Sequence, residues 1–155
     1  MIAAFGLTAA NESNGISGVY SSTHMGYNIA SGYGVNATLA LGYQFERYMR
    51  LEAAGSFVEI ENEKAVQVSA YALCDIFRYQ IVFGTLGLGG GCAFVNGYNV
   101  PTISVPTAGC RVGLGCNITE TFSISVEYDG SMFWFNRNRF PVYVNGFGVL
   151  FKVVF

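Results

Sequence analysis

His24 is the only histidine in this 155-residue chain, and Ser21, Ser22 and Ser31 stand close to it. A serine activated by an imidazole, with a carboxylate orienting the ring, is the usual apparatus for nucleophilic acyl transfer. Glu12 is the only acid between residues 11 and 32, and no spacing marks one serine as the nucleophile. The simpler reading is a solvated loop histidine. Gly87-Leu-Gly-Gly-Gly91 has the glycine density of a phosphate loop but lacks the Lys-Ser/Thr that must follow it. Glycines on a strand more often relieve crowding. Cys74, Cys92, Cys110 and Cys116 do not have the paired spacing of a zinc site. No catalytic, cofactor-binding or metal-ligating residue is therefore expected.

The charged residues carry more information. Of the eighteen acidic and basic side chains, eleven fall in connections or at strand rims. The other seven are Arg50, Glu52, Asp75, Arg111, Glu127, Asp129 and Lys152, and each sits within a stretch of alternating hydropathy. Such alternation, with a period of two, is what a strand shows when its faces meet different surroundings. All seven take the parity of the small and polar residues. In residues 121–135, for example, Phe122, Ile124, Val126, Tyr128, Met132 and Trp134 oppose Ser123, Ser125, Glu127, Asp129 and Ser131.

Eight segments follow this pattern: about 2–10, 33–45, 49–60, 65–77, 80–94, 107–118, 121–135 and 142–155. Longer or more polar connections (11–32, 61–64, 95–106, 136–141) alternate with short ones around Glu46-Arg47-Tyr48, Arg78-Tyr79 and Thr119-Glu120. The chain reads as a single domain, 1–155, all-β. It is 52% hydrophobic but only 12% charged, with a mean hydropathy of +0.37. Yet no run of about 18 apolar residues could form a spanning helix. A net charge of −2 gives no footprint for nucleic acid. Met1 reads as the start of a mature chain; the alternative is that residues 1–10 are a signal-peptide remnant.

The parity of the charges selects between two kinds of barrel. A soluble lipocalin-like barrel lines its cavity with apolar residues and turns its charges to water. Here the uncharged, aromatic-rich face is the outer one, where a mid-strand charge would cost about 2–4 kcal/mol in a bilayer. Tyr43, Phe45, Phe122 and Phe155 cluster at the short-turn end, and Phe57, Phe94, Trp134 and Tyr143 at the other, as two interfacial girdles. The expected architecture is a closed, eight-stranded, antiparallel up-and-down transmembrane β-barrel.

The final strand, Val142 to Phe155, resembles the C-terminal strand of bacterial outer-membrane β-barrels, ending on an aromatic. Gly34-Val-Asn-Ala-Thr-Leu-Ala-Leu-Gly-Tyr-Gln-Phe45 with Met49-Arg-Leu-Glu-Ala-Ala-Gly-Ser-Phe57 resembles strands two and three of small eight-stranded barrels. These are the opacity-protein, outer-membrane protein X and outer-membrane protein A transmembrane-domain type. The resemblance implies a bacterial outer-membrane location, lipid as the surrounding partner, and recognition by the barrel-assembly machinery through the strand ending at Phe155. It also implies a non-enzymatic surface-interaction, adhesion or envelope structural role through the external loops, with an external ligand or protein still unspecified. The alternatives are a narrow conduit for small or hydrophobic solutes and, resting on His24, a lipid-modifying enzyme.

Three structural expectations follow. Tyr20, His24, Met25 and Tyr27 are candidate contacts in a long first loop. Cys92 and Cys110 are equidistant from Pro101, so a symmetric hairpin sets them opposite each other, where a disulfide is expected if their spacing permits; otherwise all four thiols face lipid. In the lumen, a turn centred on Thr119 sets Arg111 opposite Glu127, or opposite Asp129 if the register shifts by two. Arg50 is expected to pair with Asp75, and Lys152 lies diagonal to Glu127. Arg111, Glu127 and Lys152, with Glu52 and Asp129 nearby, should form a salt-bridged plug; the alternative is seven independently hydrated charges.

Overall fold

The computed structural model describes residues 18–28, 34–45, 48–60, 63–97, 100–134 and 142–155. It contains eight strands: β1 (Gly18–Asn28), β2 (Gly34–Phe45), β3 (Met49–Ile60), β4 (Glu63–Tyr79), β5 (Val82–Gly97), β6 (Val100–Asn117), β7 (Phe122–Phe133) and β8 (Val142–Val154). Each pairs antiparallel with its sequence neighbours, and β8 closes on β1 to complete the barrel. Closure gives every strand two partners, which matters where no water can satisfy a free edge.

Alternation explains the strands and the orientation of their faces. On β2, Leu39, Leu41, Tyr43 and Phe45 are exposed outward while Thr38, Ala40 and Gln44 are buried. The outer wall is apolar, with Met25, Leu39, Leu41, Leu88 and Val126 each more than half exposed. The expected aromatics lie at its two ends: Tyr43 and Phe45, in edge-to-face contact at 4.8 Å, and Phe57, Phe94, Trp134 and Tyr143.

Three expectations about the chain path need correction. The strand expected over 2–10 lies outside the described residues, and the stretch read as the first long loop contains β1. Its outward face mixes Val19, Met25 and Tyr27 with Ser21 and Thr23, which blunts the alternation. In the loop expected over 95–106, residues 95–97 belong to β5 and residues 100–106 to β6; residues 98–99 lie outside the described residues. Pro101 and Pro106 suggested a loop, but among the described strands the segment Val100–Pro106 pairs only with β5. A proline missing its N–H is tolerated on such an edge. Finally, β4 carries a bulge between Asp75 and Phe77 that leaves Ile76 and Phe77 both exposed and turns Arg78 inward.

The interior is layered. At the loop end Val58, Ala65, Ala93, Val95, Val105, Phe133 and Val144 form an apolar cap. Hydroxyl and amide side chains lie below it, then charged groups, then Phe83 near the short turns. The lumen is narrow enough for large side chains to need vacated positions opposite. A Cβ added at Gly42 would fall within the ring of Tyr20, its cross-strand neighbour. Gly42→Val should therefore lower the urea unfolding midpoint in detergent micelles, by the equivalent of about 1–3 kcal/mol. An unchanged midpoint would show that Tyr20 is not held by packing.

Candidate functional site, a charged cluster inside the lumen

Arg111, on β6, occupies the middle of the lumen and is 1% exposed. Its Nη1 meets Glu52 Oε1 of β3 at 2.6 Å, on the far side of the barrel. Its Nε lies 3.3 Å from Asp129 Oδ2 and 3.6 Å from Glu127 Oε2, both on β7. The guanidinium also stacks over Tyr71 of β4, 4.5 Å from the ring centroid. The carboxylates are supported in turn. Tyr20 and Ser22 donate to Glu52 Oε2 at 3.1 and 3.3 Å, and Ser125 donates to Glu127 Oε1 at 3.0 Å.

Which register the strands adopt decides these partners. β6 and β7 pair Arg111 with Asp129 and Gly113 with Glu127, so the two-residue shift is the one present. β3 and β4 set Arg50 opposite Leu73 rather than Asp75. Arg50 reaches Asp75 diagonally, Nη2 to Oδ1 at 3.0 Å, and also donates to Thr85 at 2.9 Å. Lys152 departs from its expected place. It sits opposite Ser123, four residues along β7 from Glu127, and among the described residues no carboxylate lies within 4.0 Å of its amine. The plug is therefore built on Arg111 with Glu52, Asp129 and Glu127, without Lys152. Arg78 belongs to the interior charges and was not expected there; the doubled apolar pair Ile76-Phe77 was the trace of the bulge that turns it inward.

The expected loop contacts are wall residues. Tyr20 and His24 point into the lumen, almost completely buried, whereas Met25 and Tyr27 face outward on β1. His24 Nδ1 lies 3.8 Å from Asp129 Oδ2, and its other ring nitrogen lies over Gly148. Neither ring nitrogen has a hydrogen-bond partner among the described residues, and Ser22 is committed to Glu52. His24 is thus part of the filled interior and not a solvated loop residue. No group of three His, Cys, Asp or Glu side chains among the described residues is placed to hold a metal ion. The disulfide expectation also fails. With Gly97 paired to Val100, Cys92 faces Pro106 and Cys110 faces Leu88, and all four thiols are free.

Between the apolar cap and the Arg111 cluster is a polar cavity of about 30 Å³, lined by Asn28, Asn36, Thr38, Ser56, Gln67 and Asp129 among others. That volume suits a water molecule or two. Removing the central cation would leave three acids facing one another in a poorly solvated space. Arg111→Met should cost about 3–5 kcal/mol of folding free energy, measured by urea unfolding in micelles. Combining it with Glu52→Gln should recover part of that loss; strict additivity would mean the 2.6 Å pair is not coupled.

The sequence matches no protein-family model and no curated protein. Among solved structures, neisserial surface protein A superposes with a TM-score of 0.69 at 15% identity, covering 88% of this chain and 96% of that one. The outer-membrane enzyme PagL gives 0.61 at 13% identity, over 88% and 99% of the two chains. Ail, the attachment invasion locus protein of Yersinia pestis, gives 0.50 at 18% identity, over 90% and 99%. This chain therefore has the fold of the small eight-stranded outer-membrane β-barrels.

Proposed function

We propose that this protein is an integral barrel of the bacterial outer membrane whose role is to present its loop-side rim for surface contact, without catalysis. The observation that carries the membrane placement is the inverted polarity of the barrel. Leucine, valine, methionine and aromatic side chains cover the outside, and the charged strand residues Arg50, Glu52, Asp75, Arg111, Glu127 and Lys152 are buried inside. Water would strip such a surface of its stability, whereas hydrocarbon suits it.

The surface role rests on the rim. β4, β5 and β6 run 17, 16 and 18 residues, against 11 to 13 in the other strands, so the β5–β6 hairpin, flanked by β4 up to Asn96, extends past β7, whose pairing with β6 ends at Thr107. Its exposed face offers Phe94, Asn96, Thr102, Ile103 and Ser104, a mixture of apolar anchors and hydroxyl groups. This hairpin takes the place that the first loop held in the sequence reading. Among the structural neighbours one is a surface protein and another an attachment protein by name, which agrees with this role. A third is an enzyme, but here the only histidine is enclosed in the lumen. The conduit reading is weakened by the cap and the filled interior.

The protein should extract only with detergent and, unheated, should migrate differently on gels from the boiled chain. Recovery as a detergent-free soluble monomer would remove the membrane placement. Expressed at a bacterial surface, it should lose adhesion to host cells or matrix when residues 95–103 are replaced by a short turn, while still inserting. Full adhesion in that variant would place the contact surface elsewhere.

A further inference from the structure

At the short-turn end of the lumen, among the described residues, two arginines hold a single carboxylate and a lysine lies nearby. Arg50 Nη2 and Arg78 Nη2 reach Asp75 Oδ1 and Oδ2 at 3.0 and 2.8 Å, and Thr85 donates to Oδ1 at 3.1 Å. Both oxygens of Asp75 are then engaged. Lys152 is 4% exposed, with its amine 5.7 and 5.6 Å from the ring centroids of Tyr20 and Phe83. Arg78 lies 6.0 Å from the same Phe83 ring, and Arg50 5.9 Å from the same Tyr20 ring. The neighbouring acids, Glu52 and Glu127, are held by Arg111. Among the described residues this end of the lumen thus holds three basic side chains to one carboxylate.

The unsatisfied polar atoms here can all donate, two as arginine N–H groups and one as a hydroxyl. Arg50 Nε, Arg78 Nε and the Ser123 hydroxyl have no hydrogen-bond partner among the described residues. Ser123 is 3% exposed and directly opposite Lys152 across β7 and β8. In and above the Arg111 layer the unsatisfied atoms are of both kinds, with Glu127 Oε2, Asp129 Oδ1 and Asn36 Oδ1 as acceptors and Asn28 Nδ2 and Arg111 Nε as donors. An isolated buried cation costs several kcal/mol. An anion that accepts from these donors would remove that cost through charge-assisted hydrogen bonds.

We infer that the turn end of the lumen, formed by Lys152, Ser123, Arg50 and Arg78, binds a phosphate-type oxyanion. Arg78, its side chain 24% exposed, is the most accessible of the four, so the anion would enter from the turn side. Lys152 and Ser123 supply donors from one wall and the two arginines from the opposite one, while Asp75 holds the arginines in place. The same chemistry fits inorganic phosphate and the headgroup of a phospholipid in the adjoining leaflet. Only the second source rests on the membrane placement.

The test is the thermal unfolding midpoint of the full chain refolded in a phosphate-free, non-ionic detergent. Sodium phosphate should raise the midpoint saturably, beyond sodium chloride at equal ionic strength. The apparent affinity should fall at least about tenfold in Lys152→Met and Ser123→Ala, each checked for folding by its unheated gel migration. Arg78→Gln, at the exposed margin, serves if Lys152→Met fails to fold. Stabilisation by phosphatidylglycerol vesicles but not by free phosphate, lost in the same variants, would assign the lipid headgroup as the source. No phosphate-specific or lipid-specific shift, or equal shifts in wild type and variants, would overturn the inference.

Discussion

A fully buried guanidinium organises this barrel. Arg111 has contacts on β3, β4 and β7 as well as its place on β6, so one side chain ties together strands on opposite sides of the lumen. Its burial is tolerable only because each face is answered: two short ion pairs, a third at 3.6 Å, and an aromatic ring. The demand extends outward. Glu52 must be oriented, and Tyr20 and Ser22 of β1 orient it. The cluster thereby reaches the strand that closes the barrel, so the polar interior specifies closure as well as filling the space.

The layers above and below follow from the same economy of burial. The apolar cap packs over the polar interior, and a lower effective dielectric beneath it deepens each ion pair. Acids outnumber bases around Arg111, and bases outnumber acids around Asp75. The lumen is therefore polarised along its axis, negative toward the loops and positive toward the short turns. A solute crossing it would meet the cap, a crowded ion cluster and then a field of opposite sign. That sequence of barriers agrees with a presenting scaffold better than with a passage.

Much of this was legible before any coordinates. The alternation of β2, β3 and β7, the inward parity of seven charges and the positions of the girdle aromatics all follow from a strict period of two. What escaped depended on breaks in that period. β1 was obscured by Ser21 and Thr23 on its outer face, which shifted attention to the more apolar residues 2–10. The top of β6 was hidden by Pro101 and Pro106, whose tolerance depends on which neighbour is present. Arg78 was lost to a bulge, which reverses parity beyond it. Partners within the lumen were the least readable, because a hairpin centred one residue away moves each cross-strand neighbour by two. Glu52 could not be read as the tight partner of Arg111 from any hairpin, since that contact crosses the barrel.

Several of the strand glycines acquire a different meaning in this light. Tyr20 faces Gly42, Tyr71 faces Gly89, Phe83 faces Gly115, Leu73 faces Gly87, and Glu127 lies between Gly113 and Gly148. In each case a Cβ on the glycine would collide with the large residue, apart from Gly148, where it would strike His24. An eight-stranded barrel has an interior only just wide enough for side chains, so each bulky group requires an empty neighbour. Glycine here is a packing partner rather than a source of flexibility. Within the run Gly87 to Gly91 the same rule accounts for Gly87 and Gly89, which face Leu73 and Tyr71, whereas Gly91 is pressed against the backbone of β4 at Val68 and Ser69. Two of the glycines that suggested a phosphate loop are instead the space into which Leu73 and Tyr71, the aromatic platform of Arg111, fit.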